Sequence, residues 1–186
     1  MEKDKKRRAF KFDNIYMSSE LTKQVILPIN VVGENLKSNI QKNLQKSIEG
    51  RCIVDGFIKP GSIDIKTYSS GVCKGSDIIF EVAFVCDICS PVEGMLINCV
   101  AENITKAGIK AVTKDDQSPV VIFIARDHHH SSKYFTTIEE GHDIIIKVLG
   151  QRFELYDSYI SVIGEIVEPK EPKFKKKKPK LIFKET

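Results

Sequence analysis

No apolar run in this 186-residue chain approaches the ~18 residues that would read as a transmembrane helix. The stretch from Met1 to Phe12 is charged and has no apolar core of a secretory signal. There is no P-loop, no dinucleotide-binding glycine fingerprint, no nucleophile elbow and no H-E-x-x-H. Glu93, Glu102, Glu139 and Glu140 are scattered rather than set out as an acid–base pair. The missing tryptophan decides nothing. Together these absences point away from a secreted or membrane-spanning chain and from an enzyme. The expectation is a chain of the cytoplasm or nucleus with no catalytic residues, no cofactor and no metal.

What is present is 41% apolar and 29% charged, the balance of a globular protein rather than a disordered one. The net charge of +4 hides a partition. Lys3, Lys5, Lys6, Arg7, Arg8 and Lys11 crowd the first twelve residues, and eight lysines crowd positions 170–186. Between them, residues 13–169 hold 15 basic and 21 acidic groups. An acidic body with basic ends suits contact with nucleic acid or an acidic protein, and suits solvated tails equally well.

The pattern along the chain divides it into four parts: a basic arm at 1–19, an α+β unit at 20–90, an all-β unit at 91–168 and a lysine-rich tail at 169–186, expected to be disordered. In the second part, Leu21–Pro28 reads as a strand stopped by proline. Leu36, Ile40, Leu44 and Ile48 recur every four residues as the apolar stripe of a helix ended by Gly50. Arg51–Ile58, Ser62–Tyr68 and Ile78–Cys86 read as strands, with Ser69–Gly75 as a linker. The third part gives five strand candidates: Val92–Ala101, Thr105–Val112, Val120–Ala125, Asp143–Leu149 and Tyr159–Val167. Five strands with a polar insert after the third are the outline of an OB-fold barrel. The apolar runs at 120–124 and 144–146 fit strands buried in it.

Chemistry-bearing residues collect in two places. Cys86 and Cys89 form a C-x-x-C, on spacing half of a zinc site. No second C-x-x-C completes it, Cys99 falls in a strand, and His128 to His130 would have to fold back from another element. A redox pair belongs at a helix start, whereas this one lies at a strand end before Pro91. The five cysteines, odd in number, read as reduced structural thiols. The second place is Arg126 to Phe135, beside the face with which OB barrels bind oligonucleotides. Such faces pair cations for phosphate with flat side chains for unstacked bases. Lys106, Lys110, Arg126, His128, Lys133, Tyr134 and Arg152 are the candidate RNA-binding residues. The plainer alternative has Phe135 and Phe153 closing the barrel ends and the histidines solvated.

The order of these blocks resembles the stalk subunit of multisubunit DNA-directed RNA polymerases, the seventh-largest subunit of the eukaryotic messenger-RNA polymerase and its archaeal counterpart. Leu27–Leu36 is similar to that family's proline-to-glycine turn into the tip-domain helix, and Glu49–Phe57 to the strand after it. Pro91–Gly94 with Ile104–Gly108 resembles the start of its OB domain, and Gly150–Arg152 with Tyr159–Gly164 its last two strands. The resemblance spans about residues 20–168. It implies a non-catalytic subunit whose α+β tip docks at the base of the polymerase clamp, against the largest subunits. Its OB barrel would then meet nascent RNA beside a helical partner subunit. Carried over by position, the docking edge comprises Val32, Gly33, Ser70, Gly71, Val72, Lys74 and Gly75. The short loop before Cys73, the C-x-x-C and the lysine tail depart from the usual pattern and look most like versions from large DNA viruses. A viral version would occupy the virion and the infected-cell cytoplasm; a cellular one would go with its polymerase. The main alternative is a free-standing OB-fold RNA-binding protein of translation or RNA processing, and a weaker one is a redox or zinc module at Cys86 and Cys89.

Overall fold

The computed structural model describes residues 14–33, 35–114, 118–129 and 132–168. The lysine-rich tail and most of the basic arm lie outside them. Within the described residues no helix is long and apolar enough to cross a membrane.

The first half is an antiparallel sheet organised around one strand. β1 (Tyr16–Pro28) pairs with β6 (Asp77–Cys89) over their full lengths, Tyr16 opposite Cys89 and Pro28 opposite Asp77. The other edge of β6 is shared in turn by β3 (Gly56–Ile58), β4 (Asp64–Tyr68) and β5 (Val72–Lys74), and β2 (Cys52–Ile53) extends β3 as a hairpin. Alternation along β6 sends Phe80, Val82, Phe84, Cys86 and Ile88 to one face. Across them lies α1 (Leu36–Ile48), whose Ile40, Leu44 and Ile48 are fully buried. Each such side chain contributes about 1.5–3 kcal/mol by leaving water. The expected stripe is the stripe observed.

The second half is a closed five-stranded barrel: β7 (Leu96–Ile104), β8 (Gly108–Thr113), β9 (Val120–Ala125), β10 (Asp143–Arg152) and β11 (Ile160–Ile166). Its order is β7-β8-β9-β11-β10 and back to β7, with only the β9–β11 pair parallel. This is the OB arrangement. Ile97, Cys99, Ala111, Ile122, Ile124, Ile144, Ile146, Val148, Ile160 and Val162 fill the interior. Gly108 lets β8 approach β9, since a Cβ there would collide with the Ile124 carbonyl.

Several boundaries differ from expectation. β1 starts at Tyr16 rather than Leu21, so residues 16–19 belong to the sheet and not to the basic arm. The single strand expected over Arg51–Ile58 is two, folded at Val54-Asp55. Gly56 allows the fold with φ +138° at a place where any Cβ would strike the Cys89 carbonyl. The expected linker Ser69–Gly75 contains β5, hairpinned onto β6. Val92 precedes the first barrel strand, which waits for the turn at Gly94 (φ +88°) and starts at Leu96.

Sheet and barrel share a seam. Cys52, Phe57 and Cys89 belong to the sheet by hydrogen bonding, yet pack into the barrel core. The loop between β10 and β11 reaches back to the β2–β3 hairpin: Cys52 N–H donates to Asp157 O (2.8 Å) and Tyr156 N–H donates to Cys52 O (2.9 Å). To make that contact Tyr156 adopts φ +70°, a left-handed conformation costly for a residue with a Cβ.

Candidate nucleic-acid interface and docking end

Alternation in the barrel strands leaves a row of outward side chains at one level. Asn103 pairs with Lys110, Lys110 with Phe123, and Phe123 with Ile163, so four strands present one polar, one cationic, one aromatic and one aliphatic group side by side. Phe123 is 45% exposed and Ile163 51%, although Ile122 and Ile124 beside Phe123 are buried. Around this row runs a groove of about 610 Å³, lined also by Thr105, Ala107, Ala125 and His128.

The β7–β8 hairpin forms one wall. Thr105 Oγ1 bonds to Gly108 O (3.1 Å), and the Arg126 guanidinium donates to Thr105 O (3.3 Å) while its backbone N–H donates to Ala107 O (3.0 Å). Lys106, at the exposed tip, is therefore held next to Arg126. The guanidinium also lies over the Phe135 ring at 5.4 Å, a cation–π contact. Lys110 meets Glu102 at 2.6 Å, both about half exposed.

Lys110 and His128 line the groove, while Lys106 and Arg126 sit beside it on the β7–β8 hairpin and the turn bonded to that hairpin. Lys133 is exposed but does not line the groove, and Tyr134 packs against the barrel core. Arg152 ends β10 with its guanidinium 3.4 Å from Glu154, next to a Gln151–Ser90 hydrogen bond at the seam. Phe135 is buried, as the plainer reading had it. His129, solvated on that plainer reading, is buried as well. Its Nε2 accepts the Ile166 N–H (2.9 Å), which leaves Nδ1 to donate to Ala125 O (2.9 Å), and its ring stacks on Phe135 at 5.2 Å. This imidazole ties the end of β9 to the end of β11 and supports the ring under Arg126. Phe123 and His129 are the residues that sequence reasoning missed.

The other surface lies at the far end of the sheet. Val72 pairs with Ile79 and Ile79 with Ile26, an apolar row on the face away from α1. Val72 is 68% exposed and Ile26 56%, with Ile29 (59%) just beyond. Ile29 N–H donates to Ser76 O (3.0 Å), which joins the turn after β1 to the β5–β6 turn. Val32, Gly33, Ser70, Val72, Lys74 and Gly75 therefore gather around one end; Val32 is half-buried and the others are exposed. Gly71 (φ +80°) sits against Phe80 and Ile78, where a Cβ would not fit. β6 spans 13 residues, so this end is about 40 Å from the barrel seam.

No protein-family model matches the chain. It is 25% identical over 167 residues, covering 81% of each chain, to a protein of Acanthamoeba polyphaga mimivirus named, provisionally, as a DNA-directed RNA polymerase subunit. This chain resembles a viral RNA polymerase subunit. The likeness is longer than either the sheet or the barrel alone, so it extends over part of each.

Measured against that resemblance, the C-x-x-C is structural. Cys86 and Cys89 are three residues apart on one strand, so alternation sends their side chains to opposite faces. Cys86 enters the core under α1 and Cys89 the barrel core. Burial pushes the thiols up, Cys86 to about 11 and Cys89 to about 12. Two thiols on opposite faces cannot share a metal or close a disulfide. Among the described residues no group of three or more His, Cys, Asp or Glu side chains gathers as a metal site.

Proposed function

We propose that this chain is the non-catalytic stalk subunit of a viral DNA-directed RNA polymerase. Its sheet end docks on the largest subunits at the base of the clamp, and its barrel meets nascent RNA. The observation that carries this reading is the pairing of two chemically different surfaces at opposite ends of one molecule. The Ile26–Ile79–Val72 row, with Ile29, offers apolar area and no charge of its own, the composition of a protein contact. The groove at Phe123 sets Lys110 and His128 beside an exposed aromatic ring, with Lys106 and Arg126 on the adjoining hairpin and turn, the composition of a single-stranded nucleic-acid contact. The mimivirus likeness supports the transcriptional setting. The role is positional: the sheet fixes the barrel to the enzyme, and the barrel holds RNA largely by charge. Virion and infected-cell cytoplasm are the places to look for it, with a helical stalk subunit as a further partner.

Affinity purification of the tagged chain from infected cells, with co-purifying proteins identified by mass spectrometry, tests the reading. Near-equal recovery of the two largest polymerase subunits is the expected result. Recovery of RNA or ribosomal material without polymerase would replace it with the free-standing RNA-binding alternative.

A further inference from the structure

We propose that the barrel groove takes a single unstacked RNA base on the Phe123 ring, and that Glu102 holds Lys110 until an RNA phosphate displaces it. The inference rests on the reading that the barrel meets RNA, and says how it does so.

Phe123 presents its ring on the outside of a barrel whose interior is already filled by Ile122 and Ile124, so packing does not explain the aromatic. Ile163 flanks it on β11 and Lys110 on β8, giving a flat apolar floor with a cation at one side. The volume of about 610 Å³ is in the range of small-ligand sites, ~300–1,000 Å³. Asn103, at the end of the same row, carries an amide that can both donate to and accept from a base edge. A paired base cannot lie flat on this floor, because its faces are covered by its neighbours in the helix; an unstacked base can.

The usual OB surface includes the loop between the fourth and fifth strands. Here that loop is bonded to Cys52 in the sheet. The base site lies away from that loop, on the β7–β8 hairpin and the outer face of β8, β9 and β11.

Glu102 is the extra residue of a bulge in β7, which brings its carboxylate to Lys110 Nζ at 2.6 Å. An exposed ion pair of this kind is weak enough to exchange. A phosphate drawn in by Lys106 and Arg126 competes for Lys110 and at the same time is repelled by Glu102. The carboxylate therefore lowers affinity for RNA and keeps Lys110 from acting as a free anion site.

The test is fluorescence anisotropy of the full chain with a single-stranded RNA of about twelve nucleotides carrying one 2-aminopurine, and with its duplex. The expected results are preference for the single strand and a rise in 2-aminopurine fluorescence as the base leaves the stack of its neighbours. Phe123→Ala should lose about tenfold in affinity, with Phe123→Tyr retaining it. Glu102→Gln should tighten binding about threefold. Lys110→Gln should lower the logarithmic salt slope by about 0.7, one phosphate contact on a single strand. Equal melting temperatures confirm that the variants are folded. Wild-type affinity in Phe123→Ala, with Lys106→Glu/Arg126→Glu still impaired, would overturn the stacking site and leave the RNA reading standing. Unchanged or weaker binding by Glu102→Gln would overturn the exchange. No binding of single-stranded RNA by the wild type would remove both the inference and the reading beneath it.

Discussion

The sheet and the barrel use one period-2 alternation for opposite ends. In both, every second residue enters a core, and the difference lies in what the remaining residues are. On the far end of the sheet one outward row, Ile26, Ile79 and Val72, is aliphatic and without polar atoms, with Lys74 and Asp77 two residues along. On the barrel they are Asn103, Lys110, Phe123 and Ile163. A surface of the first kind gains only by excluding water against another apolar surface. One of the second kind can hold a charged, flat ligand. The two halves also end differently: the barrel closes on itself, while β1 remains the edge of an open sheet.

The comparison can be broken most severely from inside. Phe84 is buried under α1, and Phe84→Ala should cost about 3–5 kcal/mol in urea denaturation. If the sheet core supports the docking end alone, RNA affinity of the still-folded fraction stays at the wild-type value. The surfaces can then be separated. Ile26→Asp with Val72→Asp should abolish co-purification of polymerase subunits while leaving RNA binding and melting temperature within error. Lys106→Glu with Arg126→Glu should do the reverse, costing about 2 kcal/mol of RNA affinity at low salt and much less at high salt. Thiol chemistry sharpens the inside–outside distinction. Cys73 is exposed, whereas burial pushes Cys52 to about 11 and Cys99 to about 12. Iodoacetamide at pH 8 should label Cys73 alone in the native protein. The buried thiols keep their protons in the folded state to higher pH than in the unfolded state. Stability should therefore fall as pH rises from about 9 towards 11–12, visible as a declining melting temperature. The smallest effect is at the seam: Tyr156→Gly relieves the left-handed backbone at φ +70° and should stabilise the protein by up to about 1 kcal/mol.

Much of the architecture was legible because it is written in local periodicity. The stripe Ile40, Leu44, Ile48 specified the helix and its buried face. The five barrel strands followed from runs bounded by glycine and polar residues. What escaped depends on partners distant in sequence. β5 is three residues long and takes its strand character from β6. Tyr16 to Ser19 are polar enough to pass for an arm, and are strand because Cys86 to Cys89 lie opposite. Phe123 was hidden by its own neighbours: in a continuous apolar run nothing local says which face is outward, and only the register with Lys110 and Ile163 does. His129 looked like one of three equivalent histidines, and its role comes from the Ile166 amide. The opposite facing of Cys86 and Cys89 was available all along from their spacing, once the pair is placed inside a strand rather than after it.

Because β6 runs unbroken from the Val72 hairpin to Cys89, and Cys89 is embedded in the barrel, the molecule has a mechanical axis. Hydrogen bonds brace that strand along both edges, and the loop bonded at Cys52 ties the two halves together where they meet. A tilt of a few degrees imposed at the Val72 end would be carried along a lever of about 40 Å and swing the barrel by several ångströms. Whatever grips one end of this protein thereby aims the other.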